Sequence, residues 1–169
     1  IEKCLGNLKK LEKLEIYNNK INSITVRTFE HNNKLKDLNL SHNNIKEFPY
    51  DSFSNLVELE KLYISGNKIE SIETNLFRNN RKLTHLLLNK NKLKTIPQNV
   101  FDNLVDLEGL NLYKNQLTNV SVSVFKNNRK LYHLDLEDNN LSEENKKEIR
   151  EVYGDLIINL RLNQIKRIS

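Results

Sequence analysis

Apolar residues return along this chain with a period of 24. Leu11, Leu35, Leu59, Leu83, Leu107 and Leu131 open six units, each written Leu-x-x-Leu-x-Leu-x-x-Asn-x-Leu, as in Leu35, Leu38, Leu40, Asn43 and Ile45. Phe29, Phe53, Phe77, Phe101 and Phe125 mark one late position in five successive units. The Leu-x-Leu alternation predicts a short strand with one buried face. The later apolar positions, such as Ile69, Ile72 and Phe77, predict a return limb packed behind it. Too few residues remain in a unit for a full helix, so that limb should be turns and short 3₁₀ pieces. Self-similarity at this period means one supersecondary unit stacked on copies of itself. The fold class is therefore an α/β repeat solenoid. Its parallel β-sheet should be concave, because the returning limb is bulkier than the strand, and its convex side mostly irregular.

The polar positions carry their own pattern. Asn19, Asn43, Asn67, Asn91, Asn115 and Asn139 fall where each strand turns inward. An asparagine side chain has an acceptor and two donors, so in register these residues can satisfy backbone groups that would otherwise be buried unpaired. Leu5 and Leu8 fit the registers of Phe29 and Leu56, which makes the chain open inside a repeat. A 48-residue rhythm overlies the first one. Asn-Asn-Arg-Lys-Leu follows Phe77 and Phe125, while Asn55-Leu56-Val57 and Asn103-Leu104-Val105 mark the alternate units. This gathers Arg78, Arg81, Lys82, Lys126, Arg129 and Lys130 along one side.

After Leu141 the rhythm breaks. Ser142, Glu143 and Glu144 predict a helix start, and Gly154 a stop. Ile149, Val152 and Tyr153 lie at helical spacing, with Ile149 and Val152 expected over the rear of the last repeat. Ile157, Leu160 and Leu162 restore the strand spacing, with Gln164 and Ile165 where asparagine would follow. We read residues 1–141 as a partial leading unit plus six repeats, and 142–169 as a helix and degenerate closing strand that cap them.

Composition narrows the functional classes. A charge of +5 among 29% charged residues reads as a mixed, solvated surface, so nucleic acid is a disfavoured partner. No stretch approaches the roughly 18 apolar residues of a membrane span. Cys4 stands alone, read as a small buried residue at the open end of the stack, the alternative being half of a bridge to another segment. His31, His42, His85 and His133 lack metal-ligand spacing, and neither a nucleophile elbow nor a phosphate loop is present. No catalytic residue, metal or cofactor is expected. Asp135, Glu137 and Asp138 make an acidic rim at the last strands.

A binding surface is the expectation that remains. Residues between the strand leucines face away from the core. Tyr63, His85, Leu87 and Tyr113 gather across units three to five, flanked by Lys61, Asn89, Asn111 and His133. Interface centres favour tyrosine and are poor in charge, which makes this the expected contact patch for a protein partner. Asn39, Asn119 and Asn140 each begin an Asn-x-Ser sequon and are candidate glycosylation sites. A glycan on Asn39 would shield the early strands. Two further readings are an assembly element, forming homo- or hetero-oligomers through its terminal repeats, and a polyanion binder using the basic rows.

From Leu5 to Leu141 the units resemble the 24-residue leucine-rich repeats of extracellular animal proteins, whose signature includes the phenylalanine position. In texture they look closest to insect Toll-like receptor ectodomains and the leucine-rich immune molecules of mosquitoes. The resemblance implies a non-enzymatic module that binds protein through its concave sheet, in innate immunity or as a receptor ectodomain, secreted or outside the cell. Such proteins usually carry cysteine-rich caps, and this chain has only Cys4.

Overall fold

The computed structural model describes residues 2–154 and 158–159. A short helix, α1 (Glu2–Leu5), leads into strands β1 (Lys13–Glu15), β2 (Asp37–Asn39), β3 (Lys61–Tyr63), β4 (His85–Leu87), β5 (Gly109–Asn111) and β6 (His133–Asp135). Helix α2 (Glu143–Tyr153) and β7 (Ile158–Asn159) follow. The seven strands form one parallel sheet in chain order. Leu14, Leu38, Leu62, Leu86, Leu110 and Leu134 occupy one register position across it. Each of β1 to β6 thus shows its central leucine to the core and its first and third residues to the other face, as the three-residue alternation demands. The return limbs are turns, with one 3₁₀ segment at Val122–Phe125.

Two ladders run through the interior. The phenylalanine rings stack with centroids 6.3, 6.1, 6.4 and 6.0 Å apart from Phe29 to Phe125. Strands in a sheet lie only about 4.8 Å apart. The back of the coil therefore rises more per turn than the front, and the sheet is on the inside of the bend. The second ladder is asparagine. Asn67 Nδ2 donates to the carbonyls of Leu40, Ile64 and Ser65, while its Oδ1 accepts from Ile45 N–H. Asn43, Asn91, Asn115 and Asn139 repeat the arrangement. Asn19, in the first unit, is exposed and reaches only Ile16 and Tyr17 carbonyls.

The 48-residue rhythm has a structural cause. Leu8, Asn32, Leu56, Asn80, Leu104 and Asn128 share one column of the stack. Each asparagine of this column is buried, and its Nδ2 donates to two carbonyls of the preceding unit. Asn80 reaches Phe53 and Leu56, Asn128 reaches Phe101 and Leu104, and Asn32 reaches Leu5 and Leu8. The bonds to Leu5 and Leu8 place the leading partial unit in the expected register.

The ends correct several expectations. Cys4 is exposed, not buried: α1 leaves it on the outside while Leu5 takes the core position. Leu8 is 46% exposed where Leu56 and Leu104 are fully buried. Ser142 caps α2 by accepting from Asn145 N–H, and the chain leaves the helix at Gly154 with φ +70°. Ile149 is buried, but Val152 is 56% exposed. Tyr153 does its expected work instead, closing the phenylalanine row edge-on against Phe125 at 5.9 Å and donating its hydroxyl to the Val122 carbonyl. Asn145, which sequence reading passed over, is buried and bonds both N–H and C=O of Val120. In the sheet Ile158 pairs with Leu134, which keeps the 24-residue spacing that an alignment on Leu160 would break. Ile157, Leu160, Leu162, Gln164 and Ile165 lie outside the described residues.

Candidate functional site

The concave face is built from the outward positions of three-residue strands. Tyr63 and Leu87 are register partners on β3 and β4, and Lys61 pairs likewise with His85. Tyr63, His85, Leu87, Asn89, Asn111 and Tyr113 are half-buried, while Lys61 and His133 are exposed. The His85 ring lies over Gly109, where an added Cβ would come within 3.2 Å of it, and its Nδ1 is 2.9 Å from Thr84 Oγ1. The His42 ring lies over Gly66, 2.6 Å from where a Cβ would stand.

One depression of about 360 Å³ opens on this face. Tyr63, Leu87 and Asn89 of the expected contact patch line it, joined by Tyr17, Asn39 and His42, with Ser41 and Ser65 between them. Its centre is nearer the start of the chain than expected. Lys61, His85, Asn111, Tyr113 and His133 stand on the same face without lining it. Asn18, His42, Gly66, Lys90, Lys114 and Asp138, three residues beyond the ends of β1 to β6, all have positive φ, between 54° and 64°. The sequence signal was present in the column Asn, His, Gly, Lys, Lys, Asp, because asparagine, aspartate and glycine favour that conformation.

A row of short hydrogen bonds tells the patch from the rest of the face. Asn39 Oδ1 accepts from Ser41 N–H at 3.0 Å, Asn111 Oδ1 from Tyr113 N–H at 2.9 Å, and Asp135 Oδ1 from Glu137 N–H at 3.1 Å. Tyr63 and Leu87 occupy the same column and make no such bond. In the first unit Glu15 turns to Lys13 instead, 3.0 Å away. Units three and four thus give up a local turn bond and display an aromatic and an aliphatic side chain. Burial, with Asp37 nearby, raises the Tyr63 hydroxyl above its ordinary pKa, partly offset by Lys13. Asp135 is also raised, chiefly by burial, against the bonds from Glu137 and Asn111.

The basic rows are paired in part. Arg78 pairs with Asp51 at 2.8 Å, Lys82 with Glu58 at 2.6 Å, Lys126 with Asp102 at 3.8 Å and Lys130 with Asp106 at 2.5 Å. Acids of the even units thus pair with four of the six bases of the odd ones, and Arg81 and Arg129 stand exposed beside them. Among the sequons, Asn119 and Asn140 are exposed and Asn39 is half-buried in the depression. Among the described residues no group of three or more His, Cys, Asp or Glu is placed to hold a metal ion, and no helix is long and apolar enough to cross a membrane.

Comparison with known proteins agrees with this geometry. The sequence model described as leucine rich repeat matches residues 9–69 and 58–117. No curated protein matches the chain. Among solved structures, a leucine-rich repeat protein of Leptospira interrogans superposes with a TM-score of 0.81 at 30% identity, covering 90% of this chain. This chain spans only 38% of that protein. Domains of this kind generally bind other proteins and are typically non-enzymatic. With its repeat, its paired ladders and its concave sheet all in register, the chain belongs to the leucine-rich repeat family.

Proposed function

We propose that this chain recognises a protein partner through the concave sheet, with Tyr63 and Leu87 at the centre of the contact and Tyr17, His42 and Asn89 around them. The observation that carries this reading is the interrupted turn-bond row. At two central units the structurally useful asparagine is replaced by large side chains left half-exposed beside a depression. Such residues anchor interfaces when a partner removes the remaining water. Docking here requires an unmodified Asn39. Extracellular placement, in immunity or receptor recognition, draws its support from the phenylalanine-bearing 24-residue signature and the exposed sequons at Asn119 and Asn140.

The test compares capture of proteins from the source organism's extracellular fluid by the native chain, by Leu87→Arg, and by Val57→Arg on the exposed convex side. Leu87→Arg should lose the captured species and Val57→Arg keep it, with both melting as the native protein does. Equal capture by all three removes the patch from consideration.

A second reading has its own observation. Leu11, Leu14, Ile16 and Ile21 are only partly covered, whereas Leu35, Leu38, Leu40 and Ile45 are fully buried. This leading end suits stacking against a further repeat-like surface. Light scattering across a concentration series reads it directly, since a strict monomer excludes self-association there.

A further inference from the structure

The depression on the concave face is unbalanced in its hydrogen bonding. The three units without a turn-closing acceptor leave the backbone N–H groups of Tyr17, Ser65 and Asn89 with no acceptor among the described residues. All three residues line the depression. The side-chain amides add to the imbalance. Asn39 Oδ1 is taken by Ser41 N–H, and Asn89 Oδ1 by Ser65 Oγ at 2.5 Å. Their oxygens are spent internally, so their NH₂ groups are what remains to offer. No aspartate or glutamate lines the depression. Glu15 is held by Lys13, and the exposed Lys61 and Lys90 stand beside the patch.

Resting on the protein-binding reading above, we propose that this depression takes the carboxylate of an acidic side chain on a partner's loop, with an apolar neighbour of that residue packed on Tyr63 and Leu87. Backbone N–H groups and amide NH₂ groups gathered around one depression make a site for an anionic oxygen. A carboxylate, with acceptors only, answers several donors at once where a neutral carbonyl answers fewer. A surplus of donors without acceptors is costly in a face that must be dried on docking. The partner's acid supplies what Asn39, Asn111 and Asp135 supply internally in the other units.

The capped peptides acetyl-Leu-Glu-Leu-amide and acetyl-Leu-Gln-Leu-amide are the probes, read by amide nitrogen–proton NMR of the full chain. The glutamate peptide should move the Tyr17, Ser65 and Asn89 amide signals downfield in a saturable way, and the glutamine peptide should bind roughly tenfold more weakly. The double variant Tyr63→Asn, Leu87→Asn returns an internal acceptor to Ser65 and Asn89. It should melt no lower than the native chain and lose the response at those amides. Equal shifts from both peptides overturn the carboxylate assignment while leaving the concave face as a binding surface. Absence of shifts with either peptide overturns the site. Retained saturable shifts in the double variant overturn the role of the free amides. The capture comparison with Leu87→Arg reports separately on the broader reading, so the two can fail independently.

Discussion

At Lys90 and Lys114 the turn that closes each strand is held by a residue poorly suited to it. Their φ values, 57° and 54°, lie where a Cβ crowds the following carbonyl, at a cost of roughly 1–2 kcal/mol for most residues. Gly66 fills the same column without that cost. Lys114→Gly should therefore raise stability by up to about 1 kcal/mol, since glycine returns part of the gain as unfolded-state entropy. A chemical-denaturation midpoint unchanged or lowered would count against this account. Gly66→Ala should do the opposite, because a Cβ there meets both the left-handed backbone and the His42 ring. Asp135 offers a test in pH. Its folded-state pKa is raised, with burial first among the causes, so its neutral form favours the fold and that contribution fades as pH rises through the carboxyl range. Asp135→Asn keeps the bond to Glu137 N–H, as Asn39 and Asn111 do for their own turns. The variant should melt higher than the native chain at pH 7, and the difference should vanish near pH 3.

Among elements, each unit owes its place to the two ladders more than to its own strand, since three residues of strand make few bonds. Phe77 lies between Phe53 and Phe101 at 6.1 and 6.4 Å and is fully buried. Phe77→Ala should cost about 3–5 kcal/mol. A stack held by nearest-neighbour contacts should then unfold in two steps, visible as a broadened calorimetric transition. Tyr153→Phe leaves the ring against Phe125 but removes the hydroxyl bond to the Val122 carbonyl, a smaller loss of about 1 kcal/mol. Strand, return limb and both ladders were legible in the sequence because each repeats six times or nearly so, and repetition separates signal from chance. The cap was less legible. Val152 and Tyr153 are adjacent on one helix, and only the position of Phe125 decides which of them turns inward. Cys4 misled for a related reason: an exposed first turn has no neighbour to fix its burial. The depression was half legible, since Tyr63 and Leu87 stand out by type. That it reaches Tyr17, Asn39 and His42 was not legible, because residues of these types are common on any solvated surface.

Across the whole molecule, charge is arranged between turns as well as along them. The pairs Arg78–Asp51, Lys82–Glu58 and Lys130–Asp106 all bridge neighbouring units. Exposed pairs of this kind are screened by water and salt, so raising the salt concentration should lower the melting temperature only slightly. Their larger effect is on the outer field, and passage over heparin at physiological salt should leave the protein unretained. Strong retention would show that the pairs do not cancel that field.

The alternation of Leu56, Asn80, Leu104 and Asn128 down one column, matched by acid and base in turn along the outer edge, also bears on how such a gene can grow. Excising the single unit that carries Leu104 and Asp106 would set Asn80 beneath Asn128 and Lys82 beside Lys130. Removal of two successive units restores every contact. Recombination that keeps these contacts therefore moves in steps of 48 codons, and natural length variants of this protein should more often differ by even numbers of turns.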